Sequence, residues 1–220
     1  MKIIYSSLIG YVFGCLNGSY FCGKIKGIDF KKVGTKNAGA SNVAYSLGVS
    51  YAVIVAFIDI GKSIAAYYLC MMLFGDTFYG QLAGAACIIG HNHPFYMGFN
   101  GGKGFASFIG LVFAYNYKMT LLLLPFYLIS IFTTKHMTIG TFVIMIVSII
   151  IPWINNDWKF AIIMTIVFVD VMLRHSQNIK NLMTGNEPII QDVKKICLVI
   201  IGVYLVLMGA FMIFNHFSLF

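Results

Sequence analysis

Two histidines, a lysine and a cluster of glycines share one short polar stretch, Gly90–Ser107 (GHNHPFYMGFNGGKGFAS), set between long apolar runs. Within it, Gly101, Gly102 and Gly104 could let backbone amides approach an anion closely, and Lys103 adds a point charge among them. His91 brings an imidazole that can donate, accept or remove a proton near neutrality. A second stretch, Gly34-Thr35-Lys36-Asn37-Ala38-Gly39-Ala40-Ser41-Asn42, offers short hydrogen-bonding side chains at Thr35, Asn37, Ser41 and Asn42, glycine amides, and the charge of Lys36. Such a run can cradle a phosphate or serve as a solvated turn. A third, His175-Ser176-Gln177-Asn178, sets His175 and Asn178 three apart on one helical face. Asp59 and Lys62, also three apart, lie inside an apolar run, where ionisable groups are costly and either pair or serve a function. Anion binding is the chemistry these residue types suggest. A metal centre at His91 and His93 lacks the carboxylates and cysteines that would complete it. Neither Lys62 nor Lys103 belongs to a P-loop, because Ala56 and Met97 stand where its first glycine is required.

The elements that must position these groups are membrane helices. Sixty per cent of the 220 residues are hydrophobic and 10% are charged, against about 25% charged in soluble domains. Apolar segments are expected at about 3–23, 49–74, 78–90, 105–117, 119–132, 139–154, 158–173 and 196–214, giving an all-α polytopic membrane protein. No small-residue cleavage site follows the first segment, which is read as a retained helix. With the N-terminus outside, the loops at 24–48, 91–104, 133–138 and 174–195 share the cytoplasmic side. They hold eleven of the basic residues, against Lys2, Lys118 and Lys159 on the other side. That asymmetry is the positive-inside bias, and it accounts for the net charge of +8 without nucleic acid. The five cysteines stand singly in or beside apolar runs and read as small buried hydrophobes. Every glycine-rich or histidine-bearing loop falls on one face, so a shared cytoplasmic site is expected.

At this point the motifs resemble those of the PlsY family, the bacterial acyl-phosphate:glycerol-3-phosphate acyltransferases. The resemblance rests on Gly18-Ser19, Gly27-Ile28-Asp29 and Val33–Asn42, then Asp59-x-x-Lys62, then Gly90-His91, Pro94 and Gly101-Gly102-Lys103-Gly104-x-Ala106. His175-x-x-Asn178-Ile179-Lys180-x-Leu182-x-x-Gly185-x-Glu187 also fits, so coverage runs over roughly residues 5–190. It implies a seven-helix membrane bundle over 1–190, with 191–220 adding a further C-terminal helix. It also implies a multi-pass protein of the bacterial inner membrane that transfers an acyl group from acyl phosphate to the 1-hydroxyl of glycerol 3-phosphate. The products would be lysophosphatidic acid and phosphate, with no cofactor. By the same resemblance Lys103, His91, His175 and Asn178 form the catalytic set. Ser19, Lys31, Thr35, Lys36, Asn37, Gly39, Asn42, Lys62, Gly101, Gly102 and Gly104 would contribute to substrate binding, and a substrate phosphate would serve as base. The His-x4-Asp pair of other glycerolipid acyltransferases is unavailable, the fifth residue after His91 being Tyr96 and after His93 Gly98. The chain departs from the family's usual residues at Lys31, Thr35, Lys36, Ser63 and Ser176, and at Tyr45, where a phosphate-binding arginine is usual. Lys36 is expected to restore the charge missing at Tyr45. Two other readings share the motifs: acylation of a different phosphorylated acceptor, and lipid binding without turnover.

Overall fold

The computed structural model describes the backbone of residues 1–217 and the side chains of 1–213, and every regular element among them is helical. The helices are α1 (Lys2–Cys15), α2 (Gly18–Lys26), α3 (Ala40–Leu47), α4 (Val49–Phe74), α5 (Thr77–Asn92), α6 (Phe105–Tyr115), α7 (Tyr117–Thr134), α8 (Met137–Ile154), α9 (Trp158–Arg174), α10 (Ser176–Met183) and α11 (Val193–Phe217). The apolar helices α1, α4–α9 and α11 match the eight expected segments in order. Of these, α4, α7, α8 and α11 are each long and apolar enough to cross a membrane. Helices α9 and α10 meet at a 62° bend at His175, the apolar α9 ending there and the polar α10 following it.

The first segment is not the single run its hydropathy predicts. It breaks at Leu16-Asn17, for two reasons. The Asn17 side chain caps α2 by accepting from the Tyr20 amide at 3.0 Å. The last carbonyls of α1 then have a partner other than the helix, because Lys62 of α4 donates to Gly14 O and Leu16 O at 3.0 Å each.

Packing of α1 on α5 is backbone to backbone. Gly10 and Gly14 form a small-xxx-small stripe, and a Cβ at either would lie 2.1 Å from the carbonyl oxygen of Ala83 or Cys87. In a bilayer, where lipid is as apolar as leucine, this close approach supplies the attraction that hydrophobic burial cannot. On the other side, α6 is the most enclosed helix. Its Phe108 and Leu111 are fully buried in one core with Ile144 of α8 and Phe160 and Met164 of α9. Helix α6 therefore sits at the centre of the bundle, and the glycine stretch feeds directly into its N-terminus at Gly104.

Candidate active site

The 24–48, 91–104, 133–138 and 174–195 loops converge on one end of the bundle. Hydrogen bonds tie them together, Ile190 N donating to Lys135 O at 2.9 Å and Arg174 Nε to Gly102 O at 3.1 Å. Between them opens a cavity of about 350 Å³. Its mouth is lined by Thr35, Asn37, Gly39, His91, Lys103, Gly104, His175, Asn178 and Glu187, and it continues inward between apolar faces of α4, α6, α7, α8 and α11.

The first loop is organised by Asn42. Buried at the start of α3, its side-chain nitrogen donates to the carbonyls of Phe30 (2.8 Å), Val33 (3.0 Å) and Asn37 (3.0 Å), and its oxygen accepts from Thr35 N at 2.9 Å. Gly34, at φ +56°, would place a Cβ 2.2 Å from that oxygen, so the tight turn needs glycine. The result aims Thr35, Asn37 and Gly39 at the cavity.

Two residues of the glycine stretch, Gly101 and Gly102, do not work as the sequence suggests. The amide of Gly101 is spent on Asn92 O and that of Gly102 on His91 O, at 2.9 and 3.1 Å, so neither is available to an anion. Glycine is required here for closeness instead. A Cβ at Gly101 would lie 2.2 Å from His91 O, and one at Gly102 would lie 2.0 Å from His91 Nε2 and 2.7 Å from Ala38 O. The carbonyls face the other way and are gripped by Arg174, which donates from Nε to Gly102 O (3.1 Å) and from Nη2 to Gly101 O (3.0 Å) and Asn100 Oδ1 (2.9 Å). Lys31 adds a bond to Asn100 Oδ1 at 2.8 Å. Burial and the nearby guanidinium of Arg174 hold the Lys31 ammonium below its usual range. The loop is thereby fixed with Lys103 pointing inward.

Beneath it lies a buried ionic knot. Lys62 Nζ donates to Asp59 Oδ1 at 2.8 Å and lies 2.8 Å from His91 Nδ1, in addition to the two α1 carbonyls. Asp59 Oδ1 also accepts from Gly18 N at 3.3 Å. The expected Asp59–Lys62 pair is present, and it pins α1, α2, α4 and α5 at the level where His91 carries the glycine stretch. Replacing one partner of such a pair strands a buried charge, which typically costs about 3–5 kcal/mol.

At the mouth, Lys103 Nζ donates to Asn178 Oδ1. The Asn178 amide nitrogen donates to Glu187 Oε1 at 2.7 Å, and Thr138 Oγ1 donates to the same oxygen at 2.6 Å. Glu187 Oε2 is buried without a protein partner. Burial pushes the Lys103 ammonium below its usual range, with the carboxylate of Glu187 acting against that. His175 closes the bend between α9 and α10. Its Nδ1 lies 2.8 Å from Val171 O, an acceptor, so Nδ1 carries the proton and Nε2 is left as an acceptor. Burial pushes its pKa down to about 4, so the ring is neutral at physiological pH.

The residues selected from sequence divide accordingly. Lys103, His91, His175, Asn178, Thr35, Asn37, Gly39 and Gly104 line the cavity, whereas Ser19, Lys31, Lys36, Asn42, Lys62, Gly101 and Gly102 do not. Ser19 is buried and donates to Asn17 Oδ1 at 2.8 Å, supporting the α2 cap. Lys36, expected to restore the charge missing at Tyr45, is exposed and away from the lining, whereas Tyr45 stands 64% exposed at the rim. Among the described residues, Lys103 is the one lysine or arginine that lines the cavity. Three supporting residues stand outside the set that sequence selects for the site: Arg174, Thr138 and Glu187. A signal existed for two of them, since Arg174 is the only arginine in the sequence and Glu187 the only glutamate.

A family model described as glycerol-3-phosphate acyltransferase matches residues 4–185. Glycerol-3-phosphate acyltransferase 1 of Oceanobacillus iheyensis is 34% identical over 197 residues, covering 85% of this chain and 94% of the relative. Glycerol-3-phosphate acyltransferase 2 of Thermotoga maritima is 32% identical over 181 residues, covering 82% and 92%. Two crystal structures of PlsY, an integral membrane glycerol 3-phosphate acyltransferase, superimpose on this chain at 26% identity. The glycerol 3-phosphate form does so with a TM-score of 0.82 over 89% of this chain and 99% of that one. The lysophosphatidic acid form gives 0.80 over 88% and 98%.

Proposed function

Because the chain belongs to the glycerol-3-phosphate acyltransferase family, it is a multi-pass membrane acyltransferase that acylates glycerol 3-phosphate in phospholipid synthesis, and we propose that its donor is acyl phosphate. One observation carries the donor assignment. A single cavity has Lys103, Thr35 and the His175–Asn178 pair at its mouth and an apolar interior behind them. A phosphorylated head and a hydrocarbon tail fit those two ends in one orientation.

In the proposed reaction the 1-hydroxyl oxygen of glycerol 3-phosphate attacks the acyl carbonyl carbon and the carbonyl–phosphate bond breaks. The ester stays on glycerol, and phosphate leaves carrying the hydroxyl proton. Acyl phosphate is a mixed anhydride with a good leaving group, so placement and charge compensation can supply most of the acceleration. Lys103 compensates phosphate charge. His175 Nε2 and Asn178 orient the acceptor's hydroxyls, and Glu187 fixes Asn178. A histidine whose pKa lies at about 4 is a weak base, which suits positioning and leaves the proton to phosphate. We assign the mouth to the cytoplasmic face of the bacterial cell membrane on the eleven-to-three asymmetry of basic residues.

The test is purified protein with palmitoyl phosphate and radiolabelled glycerol 3-phosphate. Lysophosphatidic acid and inorganic phosphate should appear one for one. Product formed only from acyl thioesters would overturn the donor assignment.

A further inference from the structure

The family match ends at residue 185, and the glycerol 3-phosphate form of PlsY is covered to 99% by 89% of this chain. Helix α11 is therefore an addition to the shared bundle, and it does not pack as an ordinary extra span. It is tied to α7 through the segment that leads into it and again at its far end. At the mouth, Ile190 N bonds Lys135 O just after α7. At the far end, the Phe211 ring lies against Tyr117 at the start of α7 (4.8 Å between centroids) and edge-on to Phe113 of α6 (5.5 Å). Between these anchors, one face of α11 meets the cavity.

That face is Ile196, Val199, Ile200, Val203, Tyr204 and Leu207, spaced three and four apart as a single helical stripe. The opposite face, with Leu198, Leu205 and Val206, is exposed for lipid. From Ile196 to Leu207 the stripe spans roughly 16 Å at about 1.5 Å per residue, close to half of the ~30 Å hydrocarbon core and so to the depth of one leaflet. It begins beside the polar mouth and ends at the Phe211 cluster. An apolar stripe that lines open space of that depth is matched by an alkyl chain lying along it.

We propose that α11 forms a wall of the acyl-chain channel and sets the chain length accepted, with Leu207 and Tyr204 at its deep end. This rests on the reading of the reaction above, in that the chain enters attached to the donor. Adding bulk to the stripe should shorten the preferred chain, and more so the nearer the substitution lies to the mouth. Each methylene displaced should lower kcat/KM by roughly fourfold, the equivalent of about 0.8 kcal/mol of lost burial.

The experiment measures kcat/KM for the full-length enzyme and its variants with a series of saturated acyl phosphates of increasing length. Leu207→Trp should depress only the longest donors and Val203→Trp should depress medium ones as well. Leu207→Ala should extend the tolerated length, and the lipid-facing Leu205→Trp should leave the profile as in the wild type. Profiles that keep the wild-type shape in all three stripe variants, or that fall equally at every length, overturn the inference while product formation by the wild type leaves the reaction intact. A wild type that makes no product from any acyl phosphate overturns the reaction reading and this inference with it.

Discussion

Lys103→Met removes the one cationic side chain among those lining the cavity and keeps an unbranched apolar stem of similar length. At about 4 Å and an effective dielectric near 20, a single charge pair is worth about 4 kcal/mol. Water entering the vacated space returns part of that, so about 2–4 kcal/mol of transition-state stabilisation should be lost, a drop of roughly 30- to 1,000-fold in kcat/KM. The fold should survive. Asn178 keeps its 2.7 Å bond to Glu187, and the glycine stretch stays held by Arg174 and Lys31 through carbonyls that do not involve the Lys103 side chain. Initial rates should be taken over a range of glycerol 3-phosphate at saturating acyl phosphate, with the melting temperature in detergent measured alongside. Unchanged kcat/KM in a folded variant would refute the argument, because no other lysine or arginine among the described residues lines the cavity to take over the charge.

Glu187→Ala should act through Asn178 and Thr138, whose donors it leaves unmet at a cost of about 1–3 kcal/mol. The expected readout is a KM for glycerol 3-phosphate raised roughly tenfold with kcat less affected, and partial recovery in Glu187→Gln, which keeps one oxygen acceptor. Equal losses in both variants would argue that the carboxylate charge itself matters. For His175 the sign follows from its lowered pKa. As pH falls below about 6.5, an unfolded chain takes up a proton that the folded ring refuses until about pH 4. Stability held at neutral pH is therefore lost across that window, by up to about 3 kcal/mol. The wild-type melting temperature should fall more steeply from pH 6.5 to 4 than that of His175→Gln, and parallel slopes would contradict a ring held neutral.

The fold was largely legible in the sequence because bilayer helices announce themselves by unbroken apolar length, and α4, α7, α8 and α11 do so. The short helices needed more. Helix α6 has 11 residues, too few to cross alone, and its position comes from the glycine stretch and the buried Phe108 and Leu111 rather than from its own hydropathy. The break at Leu16-Asn17 was illegible for a different reason. The Asn17 cap is local, but the carbonyl acceptors that the break frees are satisfied by Lys62, 46 residues away along the chain from Leu16.

The site shows the same division between what residue type announces and what geometry decides. Lys103, His175 and Asn178 were found by type and spacing. For Gly101 and Gly102 the type is legible and the role is not, since a run of glycines looks alike whether its amides are free for an anion or spent on the end of the preceding helix. The deciding fact is the 2.0 Å that a Cβ at Gly102 would leave to His91 Nε2, which only the fold supplies. Arg174 and Glu187 show how composition could have gone further. A chain with 15 basic residues uses arginine once, where a planar fork must grip two carbonyls and an amide oxygen. A chain with 7 acidic residues uses glutamate once, where one carboxylate oxygen must collect both Thr138 and Asn178. In a sequence this poor in charge, where lysine and aspartate serve nearly everywhere else, the single exceptions mark positions at which reach and shape, more than charge, are being selected.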